Sequence, residues 1–239
     1  YRGEQGDGGY GVSPSVFRDR TGAVEAVLIT RPLDTFRSET WELVDGSPVK
    51  LDLPERVSVY GVQGGSFILS PDEDWSRPGR DYKAGSLLAI CISCVRGTAD
   101  AVPISNQADT LFVPTERQSI GGVRVMHDRV VAAISDNVVG RLAVFQNRGE
   151  FGWPRTDVAV PENLDVSLGD SSKSRDEVFV STQGFLTPPT LGLAGVGAAS
   201  LETLRTAPAR FDASTHLVEQ FEATSSDGAK IPYFVVRPR

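Results

Sequence analysis

The chain is poor in sulfur and in imidazole. Its 239 residues include two cysteines, one methionine and two histidines. No apolar run approaches the roughly 20 residues of a membrane-spanning helix, so no membrane partner is expected. Lys and Arg occur singly among acidic residues, and the net charge is -7. Phosphate binding needs clustered basic side chains, so nucleic acid is not an expected partner either. No secretory signal is visible. The chain begins at Tyr1 and its sole methionine is Met126, so the natural start is expected upstream. The compartment, cytoplasmic or periplasmic, stays open.

The two cysteines form Cys91-Ile92-Ser93-Cys94. Such a pair can be redox-active or half of a zinc site. Here it follows Ser86-Leu87-Leu88-Ala89-Ile90, which reads as a buried strand. Residues three apart on a strand point to opposite faces, so the sulfurs are expected to diverge and to serve as buried free thiols.

Catalytic frames are also scarce. A serine hydrolase elbow needs G-x-S-x-G, and no serine sits in one. Gly169-Asp170-Ser171-Ser172-Lys173 comes nearest but lacks the second glycine. His127-Asp128 reads as a tight turn before Arg129, with no nucleophile beside it. His216 reads as an ordinary polar residue. Asp72-Glu73-Asp74 lacks the spacing of a calcium loop and reads as a solvated loop. Glu39, Asp72 and Asp136 are the carboxylates that a propeller glycosidase reading would need to converge. Gly6-Asp7-Gly8-Gly9-Tyr10-Gly11 precedes a strand and not a helix, which argues against phosphate binding. Trp41 reads as strand packing, and Trp75 and Trp153 as loop or rim packing.

What the chain has is strands. Helical periodicity is absent, and 24 glycines and 15 prolines punctuate short apolar runs. The runs fall into four groups. The first holds Val12 to Phe17, Ala23 to Thr30, Thr40 to Val44 and Val49 to Leu53. The second holds Val57 to Val62, Phe67 to Leu69, Leu87 to Cys94 and Leu111 to Val113. The third holds Val123 to Val125, Arg129 to Ile134, Val138 to Phe145 and Val158 to Val160. The fourth holds Leu164 to Leu168, Glu177 to Val180, Thr190 to Leu193 and Leu201 to Leu204. Each spans roughly 45–60 residues, the period of a propeller blade. Turn pairs at Asp45-Gly46, Gly64-Gly65, Gly121-Gly122 and Asp227-Gly228 predict hairpins. Ser70 to Arg80 and Asp170 to Asp176 read as exposed loops, and Gly195 to Ala199 as a small-residue stretch. The expected fold is all-β: a partial β-propeller of about four four-stranded blades, plus a terminal hairpin.

Several stretches resemble the prolyl oligopeptidase family of serine peptidases, and its bacterial members in particular. They are Gly8-Gly9-Tyr10-Gly11-Val12-Ser13-Pro14-Ser15-Val16, Asp74-Trp75, Ala84-Gly85-Ser86-Leu87-Leu88-Ala89, Asp136-Asn137-Val138 and Gly184-Phe185-Leu186-Thr187-Pro188-Pro189-Thr190-Leu191. The last is the seam from Phe211 to Val236, where two apolar runs flank Ser226-Asp227-Gly228. Their order runs from one end of the chain to the other. The family has a seven-bladed propeller joined to an α/β-hydrolase domain. The resemblance implies that residues 1–210 are the later blades, and that 211–239 are the linker and first hairpin of the catalytic domain. The family's Ser, Asp and His belong to the hydrolase domain, so no catalytic, cofactor-binding or metal residue is assigned here. The implied partners are the hydrolase domain of the same polypeptide and an oligopeptide substrate. The inner strands implied to wall the channel are Val12 to Phe17, Val57 to Val62, Val123 to Met126 and Leu164 to Leu168. A partial propeller exposes sheet flanks and apolar faces, so lower stability or oligomerisation is expected. Two rival readings are a stand-alone propeller that binds proteins or peptides, and a propeller glycosidase.

Overall fold

The structure, a computed structural model, describes residues 11–96, 108–195 and 200–239. The glycine-rich stretch before Gly11 and the small-residue stretch 196–199 lie outside the described residues.

Four four-stranded sheets follow one another along the chain. The first is β1 (Ser13–Arg18), β2 (Val24–Pro32), β3 (Ser38–Val44) and β4 (Ser47–Lys50), in that order. The second runs β5 (Val57–Gln63), β6 (Ser66–Pro71), β9 (Leu87–Cys91) and β10 (Ala108–Phe112). Between β6 and β9 the chain makes a separate hairpin, β7 (Trp75–Arg77) with β8 (Arg80–Tyr82). The third sheet is β11 (Gln118–Val125), β12 (Arg129–Asp136), β13 (Val139–Gln146) and β14 (Arg155–Val158). The fourth is β15 (Asp165–Ser172), β16 (Glu177–Gln183), β17 (Thr190–Ala194) and β18 (Glu202–Thr206). A last hairpin pairs β19 (His216–Thr224) with β20 (Lys230–Pro238). Sequential antiparallel four-stranded meanders are the pattern of propeller blades.

Turn chemistry sets several registers. Val44 pairs with Ser47 across Asp45 and Gly46, both at positive φ. Gln63 pairs with Ser66 across Gly64 and Gly65, again both at positive φ. Two consecutive left-handed residues make the turn whose twist matches the strands it joins.

Four sequence expectations are corrected. Gly121-Gly122 makes no turn: β11 runs straight through it, so the hydrophobic segment beyond it continues one strand. Ser70 to Arg80 is not simply an exposed loop. Trp75 and Tyr82 are 8% and 3% exposed, with ring centroids 5.3 Å apart, so the β7–β8 hairpin folds its aromatic pair into the core. In the polar stretch Asp170 to Asp176, β15 extends to Ser172 through an irregularity between Leu168 and Ser171, and only the turn before β16 remains. The fourth concerns the cysteines. β9 ends at Cys91, and Ile92–Val95 forms a single helical turn, α1. That turn brings the Cα atoms of Cys91 and Cys94 to 5.3 Å and joins the sulfurs in a disulfide. The strand argument failed because the strand stops at the first cysteine.

The chain forms two compact units. In the first, which holds the first and second sheets, a core joins Leu28 and Leu51 to Phe67, Leu69, Leu88, Ile90, Ile92 and Val95. In the second, Val131 to Ile134, Leu142, Ala143, Val166, Val178 and Val180 are buried. Burial patterns separate the sheets into two kinds. β6, β9 and β12 are buried over consecutive residues, so both of their faces are covered. From Val178 to Gln183, β16 alternates strictly between buried and exposed, so one face is open. The first and fourth sheets accordingly leave Val16, Val24, Phe179, Leu191 and Leu204 exposed.

In the second unit, a Cβ at Gly140 would lie 2.6 Å from the Val166 side chain and 2.8 Å from the Leu164 carbonyl oxygen. The Gly140 N–H donates to that same carbonyl at 2.8 Å. Gly140→Ala should therefore destabilise the unit by about 1–3 kcal/mol, since the backbone cannot give way. Gly122→Ala, with open space around it, should change stability by under about 0.5 kcal/mol. Urea midpoints of the two variants check this.

Between β2 and β3 the Asp34 carboxylate accepts N–H bonds from Phe36 and Arg37, each at 2.8 Å, and a 2.7 Å bond from the Arg37 Nε. The Phe36 amide, then the Arg37 guanidinium, hold its pKa at about 2, below the ordinary 3.8. A depressed carboxylate contributes fully above its unfolded value and loses that contribution as pH falls through the folded one. An NMR titration should place the Asp34 midpoint near 2 and should show the turn loosening only below about pH 4. A midpoint near 3.8 would contradict the geometry.

Candidate functional site

Two regions of the fold are built for contact. The first is the series of leading strands. Each four-stranded sheet has its first strand, β1, β5, β11 or β15, at one edge. Within the first unit, β1 approaches β5. There too, Gly61 of β5 lies so close to Val125 that an added Cβ would sit 2.9 Å from the valine Cβ. The Gln63 Nε2 donates to the His127 carbonyl at 2.9 Å. Within the second unit, Arg124 of β11 reaches β15. Its Nε donates to the Gly169 carbonyl at 2.8 Å, and a terminal nitrogen donates to the Leu168 carbonyl at 3.0 Å. These two carbonyls lie in the stretch where β15 departs from its register with β16. The guanidinium supplies donors where the ladder supplies none. The strands singled out from sequence as inner walls are these same leading strands.

The second region is the joint between the third sheet and the terminal hairpin, all within the second unit. Asn137 and Val138, between β12 and β13, both have positive φ, at 50° and 65°. A β-branched residue is disfavoured there, so the turn stores strain. Neighbouring groups hold it. The Asn137 N–H donates to the Arg117 carbonyl at 2.9 Å. The Gln220 Nε2 of β19 donates to the Asn137 carbonyl at 2.7 Å. Arg117 pairs with Glu222 of β19. The hairpin is braced internally by Glu219, whose pKa is lowered by its 2.6 Å bond from the Arg237 Nε. Phe221 stacks on Tyr233 at 5.7 Å. The Asp136-Asn137-Val138 motif thus has a structural task; Gln220 lies 83 residues from Asn137, and Glu222 lies 105 residues from its partner Arg117, so neither contact carried a local signal.

The remaining candidates sit apart from one another. The His127 ring is exposed in the turn where the Met126 N–H donates to the Arg129 carbonyl at 2.9 Å. The His216 Nδ1 lies 3.1 Å from the Thr215 hydroxyl, and its ring meets Phe211 edge-on. Asp72, Glu73 and Asp74 each accept a different partner: the Ser58 hydroxyl at 3.3 Å, the Arg56 N–H at 3.3 Å and the Ala84 N–H at 2.8 Å. They tie a loop down from three sides. Glu39 is bonded to Lys50 at 2.5 Å and to Arg31 at 3.3 Å, and Lys50 above all lowers its pKa. A glycosidase acid needs the opposite shift. Asp136 ends β12. Ser171 and Ser172 lie in β15 and not in a strand-to-helix elbow. Trp153 donates from Nε1 to Asp109 at 3.1 Å.

The pattern of four-stranded antiparallel blades defines a β-propeller segment. Comparison with known proteins narrows the class. The chain is similar to an uncharacterized peptidase of Sinorhizobium fredii, at 34% identity over 99% of this chain and 32% of that protein. It is similar to an uncharacterized peptidase of Rickettsia prowazekii at 29% identity, over 78% of this chain and 25% of that one. Among solved structures, a post-proline cleaving enzyme from Rickettsia typhi matches 95% of this chain and 33% of its own, with TM-score 0.81 and 26% identity. Prolyl oligopeptidase B from Galerina marginata shares the fold, with TM-score 0.67 and 17% identity over 95% of this chain and 31% of its own. No protein-family model matches the chain. The chain has the β-propeller fold of the prolyl oligopeptidases, and the curated proteins it is similar to are peptidases. It spans about a third of the length of the first curated relative it matches.

Gln220→Ala removes the side-chain donor to the Asn137 turn. The expected outcome is five- to tenfold faster hydrogen exchange of the β19 and β20 amides, matching about 1 kcal/mol for one net hydrogen bond. Amides of β16 and β17 should be unaffected, as read by exchange mass spectrometry.

Proposed function

We propose that this chain is the substrate-gating propeller portion of a prolyl oligopeptidase-like serine peptidase that hydrolyses short peptides. The observation that carries this reading is the correspondence of 95% of the chain to a post-proline cleaving enzyme at TM-score 0.81 and 26% identity. Residues 1–210 form the propeller portion, and residues 211–239 form the linker and first hairpin of the catalytic domain. The bond-breaking Ser, Asp and His belong to an α/β-hydrolase domain of the same polypeptide, and none of the residues here is catalytic.

The mechanism is exclusion. Four-stranded blades covered on their faces are stiff, because close-packed sheets cannot deform without losing contacts. A wall of leading strands then admits a narrow, extended peptide and rejects a folded protein. The contacts of β5 with Val125 and of Arg124 with β15 support such a wall, since they hold successive leading strands side by side within each unit. The braced β19–β20 hairpin supports a joint that holds the hydrolase domain in register.

The test compares this chain with the longer polypeptide that includes the hydrolase domain. A short proline-containing reporter peptide should be cleaved only by the longer protein, and a folded protein carrying the same peptide sequence in an exposed loop by neither. Turnover by this chain alone, or cleavage of the folded protein at the peptide's rate, would overturn the proposal.

A further inference from the structure

We propose that Cys91 and Cys94 form a reversible dithiol–disulfide pair that controls the joint between the first and second sheets. The sulfurs are bonded across α1, with Cα atoms 5.3 Å apart. They are unlike in access: Cys91 is half-buried and Cys94 is 4% exposed. One reachable sulfur followed by one shielded sulfur is the arrangement of an attacking and a resolving thiol. A bridge that closes so short a loop also gains the least from restricting the unfolded chain, which argues against a purely stabilising staple.

What the bridged turn holds gives the pair its reach. The Ile92 N–H donates to the Gly65 carbonyl at 3.0 Å, which fixes α1 on the β5–β6 turn. The Val95 carbonyl accepts the Asp52 N–H at 2.7 Å, just after β4 of the first sheet. Arg96, the next residue, donates from Nε and from a terminal nitrogen to the two carboxylate oxygens of Glu42 at 2.7 and 2.8 Å. The Glu42 side chain is 3% exposed, so this bidentate pair is the charge partner of a buried carboxylate in β3. Ile92, Cys94 and Val95 pack in the same core as Leu28 and Leu51. A change at the sulfurs is therefore transmitted through one helical turn to every bond that α1 makes with the first sheet.

The oxidant is a low-molecular-weight disulfide of the glutathione class. The Cys91 thiolate attacks one of its sulfurs, forms a mixed disulfide and releases one glutathione as thiol. The Cys94 thiolate then attacks the Cys91 sulfur, closes the intramolecular bond and expels the second glutathione. Two cysteine thiols lose two electrons, the glutathione disulfide gains them, and the two protons end on the released thiols.

The experiment equilibrates the full chain over a range of reduced-to-oxidised glutathione ratios, quenches with an alkylating reagent and weighs the intact protein. The expected result is reversible conversion between a doubly alkylated and an unalkylated monomer. The Cys94→Ser variant should accumulate a glutathione adduct on Cys91 at least tenfold above that on Cys94 of Cys91→Ser. Amides of Ile92 and Asp52 should exchange at least fivefold faster in the reduced wild-type protein. Alkylation independent of the ratio, bridges between chains, equal adducts on the two variants, or unchanged exchange would each overturn the proposal. If either variant folds poorly, the wild-type titration and exchange decide the matter unaided.

Discussion

Close backbone approach between neighbouring sheets is the constraint on which the rest of this structure rests. Gly61 lies against Val125 in the first unit, and Gly140 lies against Leu164 and Val166 in the second. In both places a Cβ would stand where another residue already is. Sheets that come this near can share side-chain contacts along their leading strands, and polar groups near the contact need partners. Gln63 and Arg124 provide them, each from a side chain to a carbonyl on the neighbouring segment. Without that proximity the four meanders would be separate small sheets, each too thin for a core of its own.

The burial pattern follows from the same constraint. A strand covered on both faces carries consecutive apolar residues, as Val130 to Ile134 do in β12. A sheet covered on one face alternates, as Val178 to Gln183 do in β16. The first and fourth sheets keep open faces, with Val16, Val24, Phe179 and Leu191 exposed. The β19–β20 hairpin fits this picture as a contact element. It is tied to a strained turn of the third sheet by an amide donor and an ion pair.

Much of the fold was legible because hairpin chemistry and strand composition are local. Asp45-Gly46 and Gly64-Gly65 adopt the paired left-handed conformations that their residue types favour. Gly121-Gly122 was misread because a glycine pair permits a turn without requiring one; the apolar residues on either side belong to one continuous strand. Trp75 and Tyr82 were hidden in a polar stretch whose two aromatic rings turn in. The cysteines were misread through an assumed strand that in fact ends at Cys91. The joint built from Arg117, Asn137, Gln220 and Glu222 had no sequence signal, since its members are brought together only when β11 to β13 and the hairpin are in place.

The amino-acid sequence by itself determined the number of sheets, most of their strands, the tight turns and the family likeness. Each of these depends on residues near one another along the chain, where propensity and φ preference act directly. Only the tertiary structure decided which sheets are covered on both faces, and that Cys91 and Cys94 are bonded. It also decided which far-apart side chains satisfy Glu42, Asn137 and the Gly169 carbonyl. Those outcomes depend on distances between segments, and such distances arise from the sum of packing over the whole unit and from no single stretch of it.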